Sequence, residues 1–288
     1  MEKPDVTIIG LGALGTTLVR ALVEKGVEVK SVYNRTSKTA YSVARKLNID
    51  IAGGFPSGIN ELGEIVFITV SDGAISEITA RLKKLSGNVE DHTFVHCSGS
   101  ESAELLSPLR KEGGAVASFH PLQTFTSSST TDDFSDIFFS LQGDEKSFGL
   151  LRKIAKSLGA KAMEVTASQK SHLHVAGVMA SNYLHALLQS SVSLAEISGL
   201  PAEDIKRALL PLVQTSLNNA KQSSFEAALS GPIKRGDITT VKKHLDILKD
   251  NPELLEVYKT LGNRTVDMVR DAGHLGQDTA INLSNLLK

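Results

Sequence analysis

In the first half of the chain, short runs of β-branched and other apolar residues alternate with stretches whose apolar positions recur at helical spacing. Residues 6–9 (VTII) predict a buried strand that ends in glycines, and residues 18–25 a helix stopped by Gly26. Strands are predicted at 27–33, 64–70 (EIVFITV), 92–97, 115–119 and 137–141, with helices at 38–47, 74–85 and 101–111. Such alternation predicts a doubly wound, mostly parallel sheet joined by right-handed crossovers.

The pattern changes near Thr166. Residues 168–197 predict one uninterrupted helix, since no cluster of turn residues lies inside them. Gly199-Leu200-Pro201 ends it and starts another, because proline suits a first helical turn. Gly231-Pro232 breaks that second helix, Asp237 is placed to cap the next, and Asn251-Pro252-Glu253 starts the one after. The expectation is an α/β domain over residues 1–165 and an all-helical domain over 166–288. The polar segment 126–133 (TSSSTTDD) predicts a mobile surface loop, with a lid as the alternative. No internal repeat is visible.

Composition removes several classes of function. Among 288 residues, 31 Lys and Arg stand against 32 Asp and Glu, so there is no electrostatic case for nucleic acid or a membrane surface. One cysteine, Cys97, leaves no intrachain disulfide and predicts a reducing compartment. The start, Met1-Glu2-Lys3-Pro4-Asp5, leads straight into the first strand without the longer apolar core of a secretion signal. No uncharged run reaches the roughly 18 residues that cross a bilayer. A cytoplasmic location is expected, and no metal site is indicated.

The first chemistry lies in Gly10-Leu11-Gly12-Ala13-Leu14-Gly15, a G-x-G-x-x-G run that follows a strand and opens a helix. The first glycine permits the tight turn, the second lets backbone approach a pyrophosphate, and the third lets helix and strand pack closely. The helix start adds free N–H groups and a positive dipole end. The plainer alternative is a glycine-rich turn with no ligand. The second strand ends in Tyr33-Asn34-Arg35-Thr36-Ser37-Lys38, without the acid that bonds a ribose 2′-hydroxyl in NAD enzymes. A 2′-phosphate suits a guanidinium there, so NADP is preferred, with Arg35 as main contact. Otherwise Arg35 and Lys38 only solvate a helix start. Val70, Ser71 and Asp72 follow another strand and should lie beside the cofactor, although Asp72 is equally placed to cap the helix near Ala74.

Two loops and one helix carry the candidates for catalysis. Ser98-Gly99-Ser100 follows a strand and should reach the mouth of the crevice, or else it caps the segment from Glu101. In Ser118-Phe119-His120-Pro121, proline biases His120 to an extended conformation at a strand end, where it is placed to donate a hydrogen bond or proton. On the long helix, Lys170, His174, Ser181, His185 and Gln189 fall within a narrow arc, with Asn182 near its edge. That arc is either the wet face of an amphipathic helix or a stripe whose first turns face the nicotinamide. The turn Gly231–Asp237 offers cations, or is simply exposed. Cys97 reads as packed rather than reactive.

Taken in order, GLGALG, YNRTS, FITVSD, VHCSGS, SFHPLQTF, HLHVAGVMASNYLHAL and GPIKRGD resemble one family across nearly the whole chain. That family comprises Rossmann-like proteins whose helical C-terminal half is a domain of unknown function. It belongs to the 6-phosphogluconate-dehydrogenase-like superfamily and is similar to pyrroline-5-carboxylate reductase and the deazaflavin-dependent NADP oxidoreductases. The resemblance implies cofactor contacts at Gly10, Leu11, Gly12, Ala13, Leu14, Gly15, Asn34, Arg35 and Thr36. SFHPLQTF, also similar to the HP loop of prephenate dehydrogenases, implies a substrate-facing His120, and HLHVAGVMASNY implies His174 and Asn182. One departure stands out: many relatives place a catalytic Lys four residues before the Asn, where this chain has Val178.

The leading expectation is therefore an NADP-dependent oxidoreductase that moves a hydride between NADPH and a small C=N or C=O compound carrying a carboxylate. His120 or His174 would transfer the proton, and Asn182 and Ser98 would bond the substrate. The alternative is an NADP-binding regulatory or sensor protein without hydride chemistry. A homodimer is expected, because the long helix is apolar over much of its girth.

Overall fold

A computed structural model describes residues 4–288, so Met1, Glu2 and Lys3 of the lead-in lie outside the described residues. The chain divides into two compact units, Met1–Asn182 and Tyr183–Lys288.

The first unit is built on one eight-stranded sheet in the order β3-β2-β1-β4-β5-β6-β7-β8. Its strands are β1 (Val6–Ile9), β2 (Val29–Tyr33), β3 (Ile51–Gly53), β4 (Ile65–Ile68), β5 (Thr93–His96), β6 (Ala115–Pro121), β7 (Phe138–Gly143) and β8 (Lys161–Glu164). Every neighbouring pair is parallel except β6 and β7, which run antiparallel with His120 opposite Ser140. The helices of this unit are α1 (Ala13–Glu24), α2 (Ser37–Leu47), α3 (Asp72–Lys83), α4 (Ser107–Arg110), α5 (Glu145–Ser157) and α6 (Ala167–Ala180).

The central strands are buried on both faces, which is why they read as unbroken apolar runs. Alternation still divides their side chains. Ile65 and Phe67 pack on one side with Leu18, Leu22 and Ile154, while Val66 and Ile68 pack on the other with Ile75, Leu82 and Leu106. Each such side chain contributes about 1.5–3 kcal/mol by leaving water. The sheet order reverses between β1 and β4, and ligands of open α/β sheets sit at that switch, beyond the carboxyl ends of the strands.

Several expected elements differ in detail. The helix expected at 101–111 is a 3-10 turn, Ala103–Leu106, followed by the short α4, which has Pro108 in its first turn. Proline lacks the N–H that a continuous helix needs there. β3, β8 and α5 were not anticipated; the two strands are short and only partly buried, so they carry little apolar signal. Segment 126–133 is knit by its own bonds: Thr126 N–H donates to Ser129 Oγ (3.0 Å), and Thr130 and Asp133 form a reciprocal cap. Arg20 ties it to α1 through the Ser129 carbonyl at 2.8 Å.

The run expected as one helix over 168–197 is interrupted at Ser181 (φ −114°, ψ −66°). Ser181 and Asn182 both offer side chains that compete for backbone bonds, which weakens a helix at that point. α7 (Asn182–Glu196) then starts, and the arc drawn from Lys170 to Gln189 does not continue as one helical face.

The second unit is helical: the rest of α7, α8 (Ala202–Gln222), α9 (Phe225–Ala228), α10 (Ile238–Leu248), α11 (Pro252–Asp271) and α12 (Gln277–Leu286). Asp237 caps α10, accepting from Thr240 N–H at 3.0 Å, and Pro252 lies in the first turn of α11. Pro201 is the N-cap of α8, one step earlier than expected, and α8 ends at Gln222, before Gly231. The core of this unit is small: Val241, Val266, Ala280, Leu283 and Leu287. α8 keeps Pro211 within it and buries Ile205 alone of its residues.

Candidate cofactor and active site

The turn after β1 has the shape its glycines imply. Gly10 adopts φ +108°, and a Cβ there would stand 2.8 Å from the Thr69 carbonyl oxygen. At Gly15 a Cβ would meet the Gly10 carbonyl oxygen at 2.0 Å, so the helix approaches the strand as closely as backbone allows. Gly12 differs: a Cβ would meet nothing within 4 Å. No side chain caps α1, and its first turn carries no acid. The N–H groups of a helix's first turn have no partner within the helix. An open glycine beside an uncapped, uncontested helix start fits a phosphate, which needs close backbone approach and N–H donors.

A cleft of about 330 Å³ lies beside this turn, lined among others by Gly12, Asn34, Arg35, Thr36, Val70 and Ser71. Arg35 and Thr36 are exposed there. Asn34 has a more structural part, because its Oδ1 accepts from Leu11 N–H at 3.0 Å and so braces the turn. The cleft also holds a residue that no local pattern singles out, Arg81 of α3. Its guanidinium lies 3.8 Å over the Phe55 ring, which orders it. The helical phase of α3 and the end of β3 bring the two together, a juxtaposition that no local pattern encodes.

Asp72 begins α3 but does not cap it; the N-cap is Ser71. Instead Asp72 Oδ2 accepts from Ser100 Oγ at 2.9 Å, which ties α3 to the loop after β5. That loop is folded on itself, since Ser98 Oγ accepts from Glu101 N–H at 3.1 Å.

A second concavity in the same unit, about 280 Å³, is lined by His120, Gln123, Thr124, His174, Ser181 and Asn182, with Leu122, Leu173 and Val178 as apolar wall. His120 comes from the end of β6 and His174 from the second turn of α6. Alternation along β6 explains the first: Phe119 turns into the core and stacks on Phe139 at 4.0 Å, so His120 faces the other way. The two imidazoles lie edge to face, 5.9 Å between centroids. They converge on Gly99, where a Cβ would stand 2.4 Å from His174 Nδ1 and 2.8 Å from His120 Nε2. Burial, reinforced by the Lys170 ammonium, pushes the His120 pKa down to about 4. The structure thus brings together His120, His174 and the Ser98 loop, with Asn182 on the rim. Lys170 proves to be buried rather than on a wet face, at 2% exposure.

Other candidates have structural roles. Cys97 is buried, and burial pushes its thiol up to about 12. In the second unit, Lys234 Nζ donates to the carbonyls of Glu226, Ala227 and Leu229, each at 2.9 Å, and so closes the end of α9. Among the described residues no helix is long and apolar enough to cross a membrane.

Sheet order and glycine turn together define a Rossmann-like α/β architecture, followed in the chain by a helical region. Residues 5–98 match the family model described as NADP oxidoreductase, coenzyme F420-dependent. Residues 137–265 match a domain of unknown function, DUF2520. Among solved structures, protein TM1727 from Thermotoga maritima is 25% identical with a TM-score of 0.74, covering 93% of this chain and 99% of its own. A candidate NADP oxidoreductase from Bacteroides fragilis (BF3122) is 24% identical with a TM-score of 0.71, covering 91% and 98%. An imine reductase from a Pseudomonas species shares the fold at 18% identity and a TM-score of 0.61 over 100% of both chains. No curated protein matches the chain in sequence.

Proposed function

We propose that the protein is an NADP-dependent oxidoreductase that transfers a hydride between NADPH and a small C=N or C=O substrate. The observation that carries this reading is the open Gly12 beside the uncapped start of α1, with two guanidiniums, Arg35 and Arg81, in the adjoining cleft. The glycine turn and the first N–H groups of α1 hold the pyrophosphate, Arg35 bonds the 2′-phosphate, and Arg81 adds a second cation. When bound, the nicotinamide supplies or accepts the hydride.

The chain's own residues do the rest. His120, uncharged at neutral pH, offers an N–H to the substrate's oxygen or nitrogen, and His174 moves the proton. Leu122, Leu173 and Val178 exclude water. A substrate carboxylate meets the amides and hydroxyls of Gln123, Thr124, Ser181 and Asn182, because no Lys or Arg is among the residues lining this pocket. Val178 stands where a lysine-based mechanism would need its amine, so proton transfer falls to the imidazoles.

In this reading residues 1–165 hold the cofactor, and 166–288 serve substrate and assembly, in a cytoplasmic homodimer. The dimer rests on α8, whose Leu210, Leu212 and Leu217 are 48%, 62% and 47% exposed. Sedimentation as a monomer at micromolar concentration overturns it.

The test of function is calorimetry with NADPH and NADH, followed by NADPH consumption with a panel of imino and keto acids. NADPH should bind at least about tenfold tighter than NADH, and Arg35→Ala should remove most of that preference. Binding of neither coenzyme overturns the reading. Binding without consumption by any substrate overturns the catalytic part and leaves a nucleotide sensor, whereas full turnover in both His120→Ala and His174→Ala overturns the role given to the two imidazoles.

A further inference from the structure

Lys170 lies in the first turn of α6 and is almost wholly buried, at 2% exposure. A lysine is buried at a cost that only good acceptors offset. Here they are two consecutive backbone carbonyls, Ser98 and Gly99, each 2.6 Å from Nζ. Two peptide planes aimed at one ammonium leave the turn little freedom. It is also tied to both sides: Ser98 N–H donates to His96 Nδ1 at 3.3 Å, and Ser100 Oγ donates to Asp72. Gly99, at the centre of this turn, is the surface on which the His120 and His174 rings meet. The turn that Lys170 grips is therefore the spacer that sets the distance between the two imidazoles.

The ammonium also acts through its charge. The titratable groups around it are His96 of β5, Cys97 just after it, Asp72 of α3, Glu101 of the loop, His120 of β6 and His174 of its own helix. Burial pulls the lysine down to about 8, while the carboxylates of Asp72 and Glu101 support its proton. At neutral pH it remains mainly protonated, and a second positive charge on a neighbouring ring is disfavoured.

We propose that Lys170 is a positioning residue: its buried ammonium clamps the Ser98–Gly99 turn, fixes the spacing of His120 and His174 across Gly99, and acts through its charge on the His120 ring. This rests on the reading of the histidine pair as the substrate-facing groups, yet the clamp can be tested without substrate or cofactor. The imidazole signals of the whole chain are titrated by NMR, with His120→Gln used to assign His120. In Lys170→Met the His120 midpoint should rise by about one unit or more, and Lys170→Arg, which keeps the charge, should restore it in part.

The unmodified chain gives a second measurement that needs no variant to fold: His120 signals should inflect again as Lys170 loses its proton. A His120 midpoint unmoved in a folded Lys170→Met chain, or a flat His120 signal through the lysine titration, overturns the proposal. If that happens while NADPH still binds, only this inference fails. If the unmodified chain binds no coenzyme, the cofactor reading fails and the titration result still decides the clamp.

Discussion

The turn at Gly10–Gly15 and the pocket around Gly99 both depend on glycines, but for opposite reasons. In the turn, six consecutive residues carry the glycine pattern, and the open side of Gly12 faces space rather than protein. In the pocket, Gly99 is closed in by two histidines from β6 and α6, and the loop that carries it is held by a lysine 71 residues further along the chain. The turn is a backbone device with an open side. The pocket is a side-chain device that exists only once distant segments have met. A single added methyl group tells the two apart.

The largest effect is expected at Gly15, where both sides of the argument are backbone. Gly15→Ala would place a Cβ 2.0 Å from the Gly10 carbonyl oxygen, and neither atom has room to yield. A loss of about 3 kcal/mol in denaturant unfolding is expected, together with coenzyme binding. A variant as stable as the unmodified chain shows that the close helix–strand approach is misplaced.

The comparison itself is broken or sharpened by Gly99→Ala against Gly12→Ala. At Gly99 the methyl meets His174 Nδ1 and His120 Nε2, so stability should fall by about 1–2 kcal/mol and the imidazole signals should shift, with coenzyme affinity unchanged. At Gly12 the methyl meets nothing, so stability should change by only a few tenths up to about 1 kcal/mol while NADPH affinity drops about tenfold or more. If Gly12→Ala binds NADPH normally, the open side of that glycine does not face the phosphates.

The smallest effect concerns acid. Burial pushes both His96 and His120 from 6.5 down to about 4. Between those values the unfolded chain binds protons that the folded chain refuses, so stability is fully present above pH 6.5 and is lost as pH falls toward 4. The thermal midpoint should decline through this range, and less steeply in His120→Gln. A midpoint independent of pH between 6.5 and 4.5 contradicts the buried, uncharged rings.

The contrast between turn and pocket also marks what was legible in the sequence. Strand positions, the parallel sheet, the glycine turn and the Arg35 loop follow from local pattern, because a strand buried on both faces must be apolar and a phosphate turn must be glycine-rich wherever it occurs. His120 was readable as a strand-end residue, and His174 as part of a polar arc. Asn34 was readable as a candidate cofactor contact, while its bond to Leu11 N–H was not. The break at Ser181 is not legible in the sequence, since the signals of a helix interrupted by one residue differ little from those of a continuous one.

By itself, then, the sequence determined the α/β pattern, the helical region after it and the glycine turn, all of which are set by residues adjacent in the chain. Only the tertiary structure decided that Arg81 shares the cleft with Arg35, and that Lys170 leaves the water to grip Ser98 and Gly99. The same packing decided that two histidines 54 residues apart meet across a glycine (174 − 120 = 54). The physical reason is that burial and electrostatics depend on what surrounds a group in space, and for these groups the surroundings come from segments that only the folded sheet brings together.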